Sequence, residues 1–231
     1  MHIINPYRFG ASSTLLDGLV SWWSMDETSG SRADSHGSNT LTDNNAVSYT
    51  AGKQGNAATG CSAANFFYNA SSDFAFSSSF TCCLWFYSGT LQSNTGIISK
   101  GQDNSGGSFT LWQSSNALRI QVKNTANGSN DAVWSPAISA NTWYFVRFYY
   151  DAAANRIGLS INNGTAVTTA FSGTFGVSNV KRLVIGCYGS TGGFASHATA
   201  KIDETAFWSR ILTTDETAEL FASGSGMGYP G

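Results

Sequence analysis

The chain has 231 residues, only 11% of them charged, and a formal net charge of -2. That length fits one large β-sandwich, and the balance lacks the basic stripe that a nucleic-acid partner would need. No run of about 18 apolar residues occurs, so nothing reads as a membrane-spanning helix. Fifteen Phe, nine Tyr and seven Trp against three Pro favour strands and a large aromatic core.

Residues 1–17 come first and read as an N-terminal docking arm. Asn5-Pro6-Tyr7-Arg8-Phe9 has no strand or helix period. Pro6 fixes its own φ and biases Asn5 toward an extended shape. Tyr7, Arg8 and Phe9 are residue types that anchor interfaces, so they are the candidate docking residues. Their expected partner is a sister subunit or a structural protein neighbour. Met1 to Gly10 also lacks the apolar segment of a signal peptide.

Residues 18–222 read as one domain of strands about 6 to 8 residues long, split by Gly, Asn and Ser turns. Within Phe80 to Tyr87, alternation predicts that Phe80, Cys82, Leu84 and Phe86 face the core. Thr81, Cys83, Trp85 and Tyr87 then face the other way. In the strand around Tyr144 to Tyr149 both faces are bulky. That suits a central strand covered by a second sheet on one side and by loops or a partner on the other. Asn162-Asn163-Gly164 predicts a type I′ hairpin turn. Thr213 opens a short helix, with Glu216 completing a capping box. Residues 223–231 read as a flexible Gly/Ser-rich tail.

Several of these segments, in this order, resemble one family. Trp22-Trp23-Ser24-Met25-Asp26-Glu27 looks like its opening strand, and Gly52-Lys53-Gln54-Gly55-Asn56-Ala57 like its Gly-Lys-x-Gly-x-Ala turn. Phe80 to Phe86, Asn141-Thr142-Trp143-Tyr144 and Leu183-Val184-Ile185-Gly186 look like later strands. The run Ile202-Asp203-Glu204-Thr205 to Glu216 looks like its closing strand and helix. The chain thus resembles the LamG-like, or concanavalin A-like lectin/glucanase, jelly roll over about residues 18–222. The resemblance implies an all-β antiparallel jelly-roll sandwich with one short C-terminal helix. It also implies a binding module that becomes an enzyme only when a carboxylate motif is added. The run Ile4 to Phe9 is also similar to the start of tailed-phage structural proteins.

The candidate chemistry is sparse. Asp26-Glu27, Asp203-Glu204 and Asp215-Glu216 are adjacent pairs, and strand neighbours point to opposite faces. No pair can flank a glycosidic bond as a glycosidase requires. No Glu-x-Asp-x-x-Glu run is present, so no catalytic residue is assigned and the chain reads as a non-enzyme. Calcium, which takes oxygen ligands, is the one candidate cofactor. Asp34 and Asp203 are its candidate ligands, with Gln102-Asp103-Asn104 as another oxygen-rich loop. His2, His36 and His197 are scattered. Cys61, Cys82, Cys83 and Cys187 read as small apolar fillers. Trp85, Trp112, Trp134 and Tyr188 are the candidate carbohydrate-binding residues, since sugar C–H faces stack on aromatic planes. Gln113, Asn124 and Asn130 lie near them.

These readings lead to a non-enzymatic module on a bacteriophage virion surface, as a decoration or tail-associated protein with a glycan-binding or adhesive face. The expected location is the virion surface, and the expected glycan is a host-surface one. The alternative is a secreted or cell-surface carbohydrate-binding module in an extracellular setting. A divergent glycoside hydrolase ranks third.

Overall fold

A computed structural model describes residues 14–101, 106–134, 136–178, 181–190, 193–195, 197 and 199–231. Tyr7, Arg8 and Phe9 of the arm, and the Gln102-Asp103-Asn104 loop, lie outside the described residues. The first strands are β1 (Leu19–Trp23), β2 (Thr42–Asn44), β3 (Ser48–Ala51), β4 (Asn56–Thr59) and β5 (Phe66–Asn69). They are followed by β6 (Phe80–Ser88), β7 (Thr95–Lys100), β8 (Ser108–Ser114), β9 (Ala117–Lys123) and β10 (Ser129–Trp134). Next come β11 (Thr142–Asp151), β12 (Arg156–Ile161), β13 (Val167–Ala170) and β14 (Leu183–Ile185). The last are β15 (Tyr188–Ser190), β16 (Gly193–Ala195) and β17 (Ala200–Trp208), and one helix, α1 (Thr214–Phe221), follows them.

Two antiparallel sheets stack face to face. One runs β13-β12-β11-β6-β17-β4-β3, with β1 also paired to β17; the other runs β10-β9-β8-β7-β14-β5-β2. This is the expected jelly-roll sandwich with a short C-terminal helix. Between the sheets, Phe80, Cys82, Leu84 and Phe86 of β6 meet Phe109 and Leu111 of β8 and Ile120 of β9 in one buried cluster. The alternation read from β6 is thus the one observed. Phe76 stacks on Phe80 with ring centroids 4.6 Å apart. Asn162 and Asn163 both take positive φ, 52° and 57°, and Gly164 N–H donates back to Ile161 O over 2.9 Å. That is the type I′ turn its sequence requires.

The outer face of the first sheet is apolar as well. Trp22, Cys83, Trp85, Phe145 and Trp208 form a second buried cluster there, roofed by Leu220 of α1 and by Leu15. Thr213 caps α1, and Glu216 closes the capping box. The guanidinium of Arg210 forks onto the Glu216 carboxylate at 2.8 and 2.6 Å. This fork holds Glu216 down to about 2. Arg210 also donates to Thr14 O and Asp17 O, while Trp208 Nε1 donates to Leu15 O over 2.7 Å. Residues 14–17 are therefore a packed 3-10 turn and its exit, joined to the domain.

The tail departs from its composition. Gln54 Nε2 donates to Ser225 O and Gly226 O, and Met227 and Tyr229 pack on the second cluster. Tyr229 lies edge-on to Trp22 at 6.0 Å. Gly and Ser make the segment cheap to bend, and the indoles beneath it supply the apolar area that holds it.

One seam in this sheet is irregular. The start of β17 pairs with β4, and its end pairs with β1, along the same edge. Where one partner gives way to the next, β17 bulges between Asp203 and Ala206, and Glu204 takes φ +44°. A bulge turns adjacent side chains away from strict alternation. Asp203 and Glu204 are both buried as a result.

Candidate functional site

The structure disperses the sequence-predicted site residues. Trp85 is 2% exposed, stacked on Phe221 at 6.0 Å with Lys53 Nζ 4.6 Å over its ring. It is part of the packing under α1, and a ring this buried leaves no plane open for a sugar. Trp134 is half-buried, packs against the core cluster between the sheets and lies beside Gly164. It closes the edge of the sandwich and does not share a face with Trp112. Gln113 is fully buried and bonded to Ser88, Asn124 pins its own loop, and Asn130 bonds Ser172. Those three polar neighbours are structural.

The acidic residues are spent inside the fold. Asp34 accepts backbone N–H groups from Trp22, His36 and Asn39 at 3.0 to 3.1 Å. These bonds hold its carboxyl below the usual range against the opposing effect of burial. Asp203 accepts from Lys53 N at 2.7 Å, Gln54 N at 3.0 Å and Glu204 N at 2.9 Å. It thereby clamps the Gly52–Gly55 turn. A Cβ on Gly52 would sit 2.6 Å from Asp203 Oδ2, which is why that turn begins with glycine. The carboxylate felt by Asp203 is Asp26, not Asp34. Among the described residues no group of three His, Cys, Asp or Glu side chains could hold a metal ion. Asp34 and Asp203, the candidate calcium ligands, each serve a separate set of backbone donors.

Burial pushes Glu204 up to about 8 and Asp203 up to about 7. Glu204 accepts only the Trp22 indole N–H, whereas Asp203 has three backbone donors that favour its charged form. Both carboxyls are thus held above the ordinary range, with burial the first cause for each. Asp215 and Glu216 lie in the first turn of α1, where the helix dipole favours them.

Trp112 and Tyr188 are brought together, with ring centroids 4.3 Å apart and a tilt of 53°. Gly96 of β7 permits this: a Cβ there would lie 2.7 Å from the Tyr188 Cβ. His197 bridges the same glycine in parallel register. Trp112 lies on the outer face of the second sheet, directly opposite Arg119 of β9. Gln121 sits two residues along, opposite Asp131 of β10. The Arg119 guanidinium carbon is 5.6 Å over the Trp112 ring. With Tyr188 on the indole as well, Trp112 offers its N–H edge and not a bare plane.

Among the described residues, Trp112 Nε1, Arg119 Nε and Asp131 Oδ1 are buried here without a hydrogen-bond partner, as are Thr95 Oγ1, Arg147 Nε, His197 Nδ1 and Thr205 Oγ1 at other places in the fold. Trp112 itself is only 5% exposed. Arg32 and Glu27 also carry unpartnered atoms, but they are each other's charge partner at 3.8 Å. Sequence reading missed Arg119 and Asp131. The signal was present in the strict alternation of Ala117-Leu118-Arg119-Ile120-Gln121-Val122-Lys123, which puts Arg119 and Gln121 on one face of β9.

A laminin G family profile, described as the concanavalin A-like lectin/glucanases superfamily, matches residues 62–218. The chain belongs to this superfamily. No curated protein sequence matches it. Among solved structures, the concanavalin A-like chain is similar to the binding domain of Paraclostridial Mosquitocidal Protein 1 at 16% identity and a TM-score of 0.73, covering 91% of this chain and 53% of that one. It is also similar to the botulinum neurotoxin serotype D ligand-binding domain in complex with N-acetylneuraminic acid (12% identity, TM-score 0.71, coverage 90% and 51%). A third relative in shape is domain 4 of AbnA, an extracellular arabinanase of Geobacillus stearothermophilus, in complex with arabinotriose (17% identity, TM-score 0.66, coverage 90% and 98%). The chain thus spans about half the length of the two toxin domains and nearly all of the arabinanase domain. At these identities the likeness is one of fold.

Proposed function

We propose that the chain is a non-catalytic glycan-binding module whose ligand face is the outer surface of β8, β9 and β10. The observation that carries this reading is the set of unpartnered buried atoms on Trp112, Arg119 and Asp131. Buried polar groups normally find partners, and a site with two donors and one acceptor left open suits sugar oxygens and hydroxyls. The names of the structural neighbours, which are binding domains, support the same class. The acidic pairs are clamps and caps, which supports binding over turnover. Glycan-array screening of the full chain tests the reading. Trp112→Phe keeps an aromatic ring and removes the N–H, and it should lower binding of any hit at least about tenfold. No hit on a broad array, or hits indifferent to Trp112→Phe and Asp131→Asn, would overturn it. Release of reducing ends from a polysaccharide panel, abolished by one Asp or Glu substitution, would overturn the non-catalytic part.

The finer reading places this module on a bacteriophage virion surface, as a decoration or tail-associated protein facing host glycans, with the arm docked on a structural neighbour or sister subunit. The likeness of residues 4–9 to the opening of tailed-phage structural proteins supports it. Deleting residues 1–10 should abolish particle attachment and leave the thermal midpoint nearly unchanged. The second reading, a secreted or cell-surface carbohydrate-binding module, is favoured by coverage of 98% of the arabinanase domain. Full-occupancy attachment without the arm, or absence of the chain from purified particles, would favour this second reading.

A further inference from the structure

We infer that the face around Trp112 selects acidic sugars: a sugar carboxylate meets the Arg119 guanidinium and the Trp112 indole N–H, and a neighbouring hydroxyl donates to Asp131. This rests on the glycan-binding reading and narrows its ligand. The indole N–H is donor-only, and so is the guanidinium. Both are met by an acceptor, and of the acceptors a sugar can offer a carboxylate suits them best, because its negative charge matches the guanidinium and its two oxygens can serve both donors at once. Arg119 has its guanidinium carbon 5.6 Å from the Trp112 ring centre and its Nε unpartnered, and a guanidinium is the group that binds a carboxylate through a two-point fork. Asp131 Oδ1 is the reverse case, an acceptor without a donor. It asks for a hydroxyl on the same ligand.

The spacing fits one sugar acid. Trp112 and Arg119 are directly opposite on adjacent strands, and Asp131 lies one strand further on, diagonal to Arg119. Two strand spacings are about 10 Å, the span of one pyranose with its substituents. The shared chemistry is a carboxylated sugar, whether a hexuronic acid or a nine-carbon sialic-type acid.

Titration calorimetry of the full chain, using trigalacturonate against its methyl ester and sialyllactose against lactose, separates the cases. At least one acid should bind about 10- to 100-fold tighter than its neutral counterpart. Arg119→Gln should bring the acid down to the neutral level with an unchanged thermal midpoint, and Asp131→Asn should weaken both forms alike. Equal binding of acid and neutral form, or an acid preference untouched by Arg119→Gln, overturns the inference and leaves glycan binding standing. If only neutral glycans on a wider array bind, the inference also fails alone. If nothing binds at all, the glycan reading fails and takes this inference with it.

Discussion

The two outer faces of the sandwich are built from the same alternating strands and end differently. On the first sheet, the outward row Trp22, Cys83, Trp85, Phe145 and Trp208 is apolar, and the chain covers it with α1, Leu15, Met227 and Tyr229. On the second, the outward row around Trp112, Arg119, Gln121 and Asp131 is polar and keeps unpartnered atoms. The hydrophobic effect explains the first cover, since apolar area recruits any segment within reach. The second face carries only a smaller apolar cluster, Phe66, Val184 and Cys187 under Tyr68, and the polar row beside it is not roofed by α1 or the tail. If the proposed ligand face is right, substitutions on the first face should act on stability and those on the second on binding.

The largest effect should come from the covered face. Trp85→Ala removes a fully packed indole and should cost about 3 to 5 kcal/mol in denaturant unfolding. Glycan affinity measured on the remaining folded protein should be unchanged. A small cost would mean that α1 and the tail are not a true cover.

The second effect is a pH slope set by the Asp203–Glu204 bulge. Glu204 titrates at about 8 and Asp203 at about 7 in the fold, both above the ordinary carboxyl range. The folded state therefore binds more protons than the unfolded one in this window. The stabilising contribution is full below about pH 4 and is lost as pH rises through 7 and 8. Scanning calorimetry should show the midpoint falling from pH 5 to pH 9 by more than about 4 °C, the equivalent of over 1 kcal/mol for a chain of this size. Glu204→Gln should flatten that slope. Glu216 acts in the opposite sense: its contribution is present above about pH 4.5 and lost as pH falls toward 2.

The helix cap should matter less. Thr213→Ala removes the side-chain acceptor for Glu216 N–H and should cost about 1 kcal/mol in denaturant unfolding. Smallest of all on stability should be Arg119→Gln and Asp131→Asn, within about 0.5 kcal/mol. The comparison sharpens if these two, nearly silent in unfolding, carry the large losses in glycan titration. It breaks if they destabilise like Trp85→Ala, because the open face would then be part of the packing.

Much of the fold was legible because its signals are local. The Phe80 to Phe86 alternation, the Asn162-Asn163-Gly164 turn and the Thr213–Glu216 cap each follow from residues close in sequence, and each is where the strands and helix place it. The tail was misread for the same reason. Gly and Ser composition reports the cost of bending, not the presence of Trp22 and Trp85 beneath. Of the four aromatics named from the sequence as a candidate site, the fold brings Trp112 and Tyr188 together, while Trp85 and Trp134 pack elsewhere.

What the chain by itself determined is therefore the alternation, the turns, the cap and the superfamily. Only the tertiary structure decided which outward row is covered and which is open. It brought Tyr188 onto Trp112 across Gly96, set Arg119 over the indole, and turned Asp203 and Glu204 inward at the seam between β4 and β1. The physical reason is that burial and partnership are properties of residue pairs far apart in sequence. A tryptophan with an unmet N–H and one sealed under a helix look identical until their neighbours are in place.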